Sequence, residues 1–356
     1  MNYSTLNIRY ATLRWAGVGW LGFVWSSAAA AELFQTSAPL PVTNRARVVI
    51  VENLSAVVDF APRADAVRAM VDSGVLALTG ERDVASAWAS LVSPTNVVGV
   101  KVFSAPGPTV GTRPAVAAAV VQGLLAAKIP AAHIVIWDRH LADLQRAGFG
   151  ELAAQFGVRV AGAADAGWDE NVFYETSLLG NLHWGDLEFG QTNDGIGRKS
   201  FVSKLVSREL TRHIVIAPLL NHNEAGVAGQ LFTLATGAVD NTTRFIGDAE
   251  RLATAIPELC ALPQLGERVA LHVTDALLGQ YAGGGEARLH YTATVGQLRF
   301  SHDPVALDGL SVAELERQRA LVKFSGTGTN AALFHNAALL ELGVDDVRKI
   351  SVETVR

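Results

Sequence analysis

Three short runs decide the fold: VVGVK at 97–101, HIVIWD at 133–138 and HIVIAPL at 213–219. Each is an unbroken stretch of apolar, largely β-branched residues that ends on, or leads to, a polar one. Continuous rather than alternating hydrophobicity marks strands buried on both faces, as in a parallel sheet covered by helices. RVVIVE at 47–52 and VALHVTD at 269–275 are of the same kind. Between the runs lie alanine-rich helical patterns at 65–78, 83–91, 113–127, 141–156 and 229–238, with Thr112 expected as N-cap and Pro114 in the first turn of the third. Two more helices are expected at 304–322 and 330–342, then a last strand at 350–355. This alternation predicts an α/β fold, a mostly parallel sheet with helices on both faces and right-handed crossovers. The stretch 162–198 breaks the pattern: rich in Gly, Asn, Asp and aromatics and without a period, it reads as an irregular insertion or lid with short strands.

Bulk properties narrow the class. Of 356 residues 49% are hydrophobic and 18% charged, which excludes a disordered chain or a coiled coil. A net charge of −5 with no basic run argues against a nucleic-acid partner. The one cysteine, Cys260, excludes an internal disulfide and a cysteine-ligated iron–sulfur cluster within one chain, and is expected as a small buried residue. The first 31 residues stand apart. Arg9 and Arg14 without any acid, the apolar run WAGVGWLGFVW at 15–25 and SSAAAA at 26–31 describe a signal peptide cleaved after Ala30 or Ala31. The run falls short of the roughly 20 residues of a bilayer crossing. Residues 32–45 read as a proline-bearing leader and 46–356 as a single α/β domain. The expected location is periplasmic or secreted, with membrane contact only through the signal.

Polar residues gather where the runs end: Glu52, Lys101, Asp138 with Arg139 and His140, Asn221-His222-Asn223, and Asp275. Parallel strands bring such ends together, and ligands of open α/β sheets sit outside them. Lys101 precedes FSAPGPTVGT at 103–112, a loop running into a helix start, so that Lys101, Thr112, Asn221 and Asn223 form a candidate set for an anion such as a carboxylate or phosphate. The same loop also reads as a plain surface connection with a solvated lysine. Asp138, His140, His222 and Asp275 are ligand types that a divalent metal accepts, although no HExxH or paired-His spacing is present. As a catalytic set, His222 serves as acid/base or ligand while Asp138 and Asp275 orient. Against this, a strand-end Asp138 commonly caps the next helix, and His222 between two asparagines suits a polar turn. His133, His213 and His272, inside strand patterns, read as structural. Asp303 reads as the N-cap of the 304–322 helix and Asp308 as a partner of its dipole. No P-loop, GxGxxG or GxSxG order is present.

At these residues the chain resembles the bacterial and archaeal family catalogued as domain of unknown function 362. The resemblance is carried by VVGVKVFSAPGPTVGTRPAV at 97–116, IVIWDRH at 134–140, IAPLLNHNEAGVAGQL at 216–231, DNTTRF at 240–245, LHVTDALLGQYAGG at 271–284 and SHDPVALDGL at 301–310. It implies an often exported protein; the cysteine-rich ferredoxin module of some members is absent here. Where the family pattern has Lys-Asp-His this chain reads Leu220-Asn221-His222. It has Phe232-Thr233 for Lys-Asn, and Phe103 where Asn follows the strand lysine by two. Three readings stay open: an exported enzyme acting on a small anionic metabolite, with or without a divalent metal; a periplasmic or extracellular solute- or metal-binding protein without turnover; and a scaffold.

Overall fold

The runs become neighbouring strands of one sheet in the computed structural model, which describes residues 46–325 and 329–356. The expected signal peptide and leader lie outside the described residues. The first half holds β1 (Ala46–Glu52), a small hairpin of β2 (Val57–Val58) and β3 (Ala61–Pro62), α1 (Ala64–Thr79), α2 (Val84–Leu91), β4 (Val98–Val102), α3 (Pro114–Ala126) and β5 (Ile134–Asp138). Then come α4 (Leu141–Arg146), α5 (Phe149–Phe156), β6 (Arg159–Gly162), β7 (Trp168–Glu175), β8 (Lys199–Ser203), β9 (Arg212–His222) and β10 (Gly226–Val227). The remainder is α6 (Gln230–Ala238), α7 (Ala249–Cys260), β11 (Val269–Gln280), β12 (Thr292–Ser301), α8 (Pro304–Leu321), α9 (Ala331–Leu339) and β13 (Ile350–Val355). Among the described residues no helix is long and apolar enough to cross a membrane.

The main sheet runs β13-β1-β12-β11-β9-β4-β5-β6, and β10 folds back on β9. Every pairing along that path is parallel except the two made by β12. The unbroken hydrophobicity follows from the two-faced burial. Val98, Val100, Val102, Ile134, Ile136, Ile214 and Ile216 pack against α1, α2, α3 and α5. Val135, Trp137, Val215 and Leu219, of the opposite parity, pack against α6, α7, α8 and α9. From β4 the chain steps outward through β5 and β6, then returns to the other side of β4 with β9. The reversal of strand order falls between β4 and β9, the switch point at which an α/β sheet leaves a crevice.

Some expectations need correcting. The 141–156 helix is two helices, because Gly148 adopts a left-handed φ of 86° between α4 and α5. Thr112 does not cap α3; its hydroxyl donates to the Ile216 carbonyl at 2.6 Å and accepts from the Phe103 N–H at 2.9 Å, and Arg113 holds the cap position. Of the expected insertion, β7 pairs antiparallel with β8, which begins just past its end, while 176–198 is turns and irregular backbone. Asp303 does cap α8, accepting from the Ala306 N–H at 2.8 Å. Asp308, read as a partner of the α8 dipole, is buried and accepts from the Gln230 and Leu231 N–H groups at 2.7 and 3.1 Å. It thereby caps α6, whose own N-cap residue Gly229 has no side chain to do so. A Cβ at Gly229 would fall 2.0 Å from the Asp308 carboxylate, so glycine is required there.

Burial pushes the Asp308 carboxyl up to about 7, against the pull of the two N–H groups. A raised pKa stabilises the fold below the unfolded value near 4, and that contribution is lost as pH rises through 7. The stability of the wild type relative to non-titrating Asp308→Asn should therefore fall by about 1 kcal/mol or more between pH 5 and pH 8 in urea unfolding. An unchanged difference would contradict this assignment.

Candidate functional site

The strand-end residues are brought together in pairs rather than into one cluster. Lys101 is fully buried, and its Nζ donates to Asp138 Oδ1 at 2.7 Å and to the Val102 carbonyl at 2.6 Å. Asp138 Oδ2 accepts from both the N–H and the hydroxyl of Ser104 at 2.7 Å. Burial pulls the Lys101 ammonium below its usual value. Burial also works to raise Asp138, but Lys101 and Ser104 outweigh it and leave the carboxyl below the usual range. Lys101 is thus consumed inside the protein and offers nothing to an anion, and Asp138 neither caps α4 nor stands free as a base. Asp275 repeats the arrangement, accepting from the Arg113 N–H at 2.9 Å and from its guanidinium at 2.7 Å. Thr112 is spent on the backbone as described. Asn221 donates to Asn223 at 3.1 Å and accepts from Arg319.

The proposed metal set separates accordingly. Asp138 and Asp275 serve different cations, while His140 is exposed. His222 accepts from the Ala225 N–H through Nδ1 at 3.2 Å and lies against the Phe232 ring, 4.2 Å between centroids. Burial lowers its pKa, and nearby Glu224 works against that. Among the described residues no group of three or more His, Cys, Asp or Glu side chains is gathered to hold a metal.

A crevice lies at the carboxyl ends of β4, β5 and β6, as two adjoining cavities of about 200 and 530 Å³ that share Arg139, His140 and Thr242. The inner one is floored by Asp138 and walled by Phe103, Phe232 and Gly237. Gly237 matters because α6 lies directly on Lys101: a Cβ there would come within 2.2 Å of the lysine Cε. The outer cavity carries Arg139, His140, Asp165, Trp168, His183, Trp184 and Asp186. The 176–198 segment supplies three of these and is tied down at several points. Trp168 Nε1 donates to the Gly185 carbonyl at 2.6 Å, Asp186 accepts from the His183 and Asn241 N–H groups, and Asp240 accepts from Leu187 and Phe201. Burial pushes Asp240 up to about 6.

Arg139 is the notable group here. Its Nη1 donates to the carbonyls of Thr236 and Val239 at the end of α6, and its guanidinium lies over the Trp168 ring at 5.8 Å. Among the described residues Nε and Nη2 find no protein acceptor. Burial lowers its pKa while Asp186, Asp240 and Asp138 work to raise it, and a guanidinium remains charged throughout. Sequence reasoning placed Arg139 among the strand-end residues but gave it no role, and it gave none to His183, Asp186 or Asp240. Comparison with known proteins finds no family model that matches the chain and no similar curated protein.

Lys101→Met strands a buried carboxylate and should cost about 3–5 kcal/mol in urea unfolding. Adding Asp138→Asn, which removes the charge and keeps an acceptor for Ser104, should restore more than half of the loss. Failure of the double variant to recover would show that the pair's cost lies in packing rather than charge.

Proposed function

We propose that this protein is exported and converts a small anionic metabolite in the crevice above β4, β5 and β6. The observation that carries this reading is the half-committed guanidinium of Arg139. Two donor nitrogens without protein acceptors among the described residues form a fork suited to a carboxylate or phosphate, at the carboxyl ends of parallel strands. His140 and His183, both exposed at the outer cavity, are the imidazoles that line it and the candidates for acid/base work there. The roles read from sequence for Asp138 and Lys101 become positioning roles, since their pair fixes the turn from which Arg139 and His140 project. The resemblance to the domain of unknown function 362 family meets this reading at one point. Phe103 and Phe232, two departures from that family's pattern, stand edge to face on the cavity wall with centroids 6.2 Å apart. An apolar wall there favours a ligand with a hydrocarbon portion beside its anionic group. The composition of residues 1–31 supports export.

A second reading, capture of a solute without turnover, is favoured by the insertion's aromatics. Trp184 is 89% exposed beside the cavity, a stacking surface that catalysis does not require.

Thermal-shift titration with phosphate, citrate and a set of aryl and alkyl carboxylates tests the site. Arg139→Gln should weaken any ligand found at least tenfold, and unchanged affinity would remove the anion from this crevice. His140→Ala should retain binding and lower turnover about 100-fold, whereas binding with no product from the wild type favours the capture reading. Elemental analysis of protein purified without chelator tests for a divalent metal accompanying the anion. N-terminal sequencing of the exported protein should begin at Ala31 or Glu32; a retained Met1 would contradict cleavage.

A further inference from the structure

A second cavity, of about 440 Å³, lies at the other end of α6, between the starts of α6, α8 and β11 and the carboxyl end of α7. Its polar wall holds two histidines whose donating ring nitrogen is fixed by their neighbours. His272 is 5% exposed, and its Nδ1 lies 3.3 Å from the Gln230 side-chain oxygen. The orientation of that amide is fixed, because its nitrogen donates to the Val273 carbonyl at 2.9 Å and to the Thr274 hydroxyl at 3.2 Å. The His272 Nδ1 must therefore carry the hydrogen, and Nε2 keeps its lone pair. Burial holds this imidazole at about 3, so the ring is neutral at physiological pH. Its Nε2 has no protein partner among the described residues and is not sealed among the buried unpaired atoms, which leaves it facing the cavity. His302 Nδ1 lies 3.0 Å from the Ala270 carbonyl and so also donates, which leaves Nε2 as the ring atom open to a ligand.

The other lining groups complete the chemistry. No lysine or arginine is among them; the charged ones are Glu267 and Glu341, both exposed. Leu231, Leu234, Pro304 and Leu342 make an apolar wall. Imidazole acceptors, carboxylates and a hydrocarbon surface, with no competing cation, are complementary to one kind of molecule.

We propose that this cavity is a binding site for a small amphiphilic amine. The ammonium donates to the imidazole Nε2 atoms, the two glutamates balance its charge, and its hydrocarbon part packs on the leucines. The site is independent of the anion crevice, although α6 walls both. It holds neutral acceptors where the crevice holds a cationic donor, so the two select ligands of opposite charge.

Isothermal titration of the mature protein with 2-phenylethylamine, 2-phenylethanol and phenylacetate tests this directly. The amine should bind, the alcohol at least tenfold more weakly, and phenylacetate should not bind at this site. His302→Ala and Ala261→Trp replace exposed residues and should leave the melting temperature near its wild-type value. The first should weaken the amine at least fivefold, and the second should block it by filling the cavity. Arg139→Gln should leave amine binding unchanged. No amine binding at millimolar concentration, an alcohol that binds as well as the amine, or an amine affinity indifferent to both cavity variants would overturn the proposal.

Discussion

The buried ion pair of Lys101 and Asp138 is the interaction on which the rest of the carboxyl-end architecture depends. Two charges taken out of water are tolerable only when fully paired, and here each is paired more than once, through Val102 and Ser104. The pair fixes the loop leaving β4 and the turn leaving β5. It requires a glycine where α6 crosses it, which brings that helix close enough for its last carbonyls to meet Arg139. Asp275 and Arg113 do the same between β11 and the start of α3. In both cases a strand-end carboxylate takes one cation and one backbone N–H of the loop between β4 and α3. These carboxylates hold the loops around the crevice in shape and are themselves fully engaged.

Much of the sheet was legible because strands buried on both faces write themselves as unbroken apolar runs. β12 was not, because Gly296, Gln297 and Arg299 interrupt it. The Arg299 guanidinium is buried yet satisfied by the Gln297 side chain and the Leu310 carbonyl, a solution that leaves no period in the sequence. α7 was missed for a related reason: Pro257 stands inside it and argues locally against a helix, while its apolar face on the α6 side outweighs that cost. Gly148 marks the opposite error, a helix read through a residue whose left-handed backbone divides it.

For the site, position was legible and assignment was not. The strand-end rule located the crevice, since topology alone sets where parallel strands finish. It could not show that Lys101 and Asp138, 37 residues apart, would neutralise one another. The residue left with donor nitrogens unpaired, among the described residues, was the arginine between two more conspicuous neighbours. His272 shows the same limit from the other side. Its place in an apolar run suggested a structural histidine, and half of it is. Which ring nitrogen is free depends on the amide of Gln230, a residue 42 positions away.

β1 and β13 lie side by side and parallel, pairing Ala46 with Ile350 through Val51 with Val355. Ion pairs from Arg47 to Glu353 and from Arg356 to Glu52 brace the two strands near opposite ends of that ladder. A pull applied to the amino side of β1 and the carboxyl side of β13 would run along the strands in opposite directions. It would load the hydrogen bonds between them together, in shear, rather than peel them one at a time. The two ends of the domain thus form a mechanical clasp, set to resist tension along the chain.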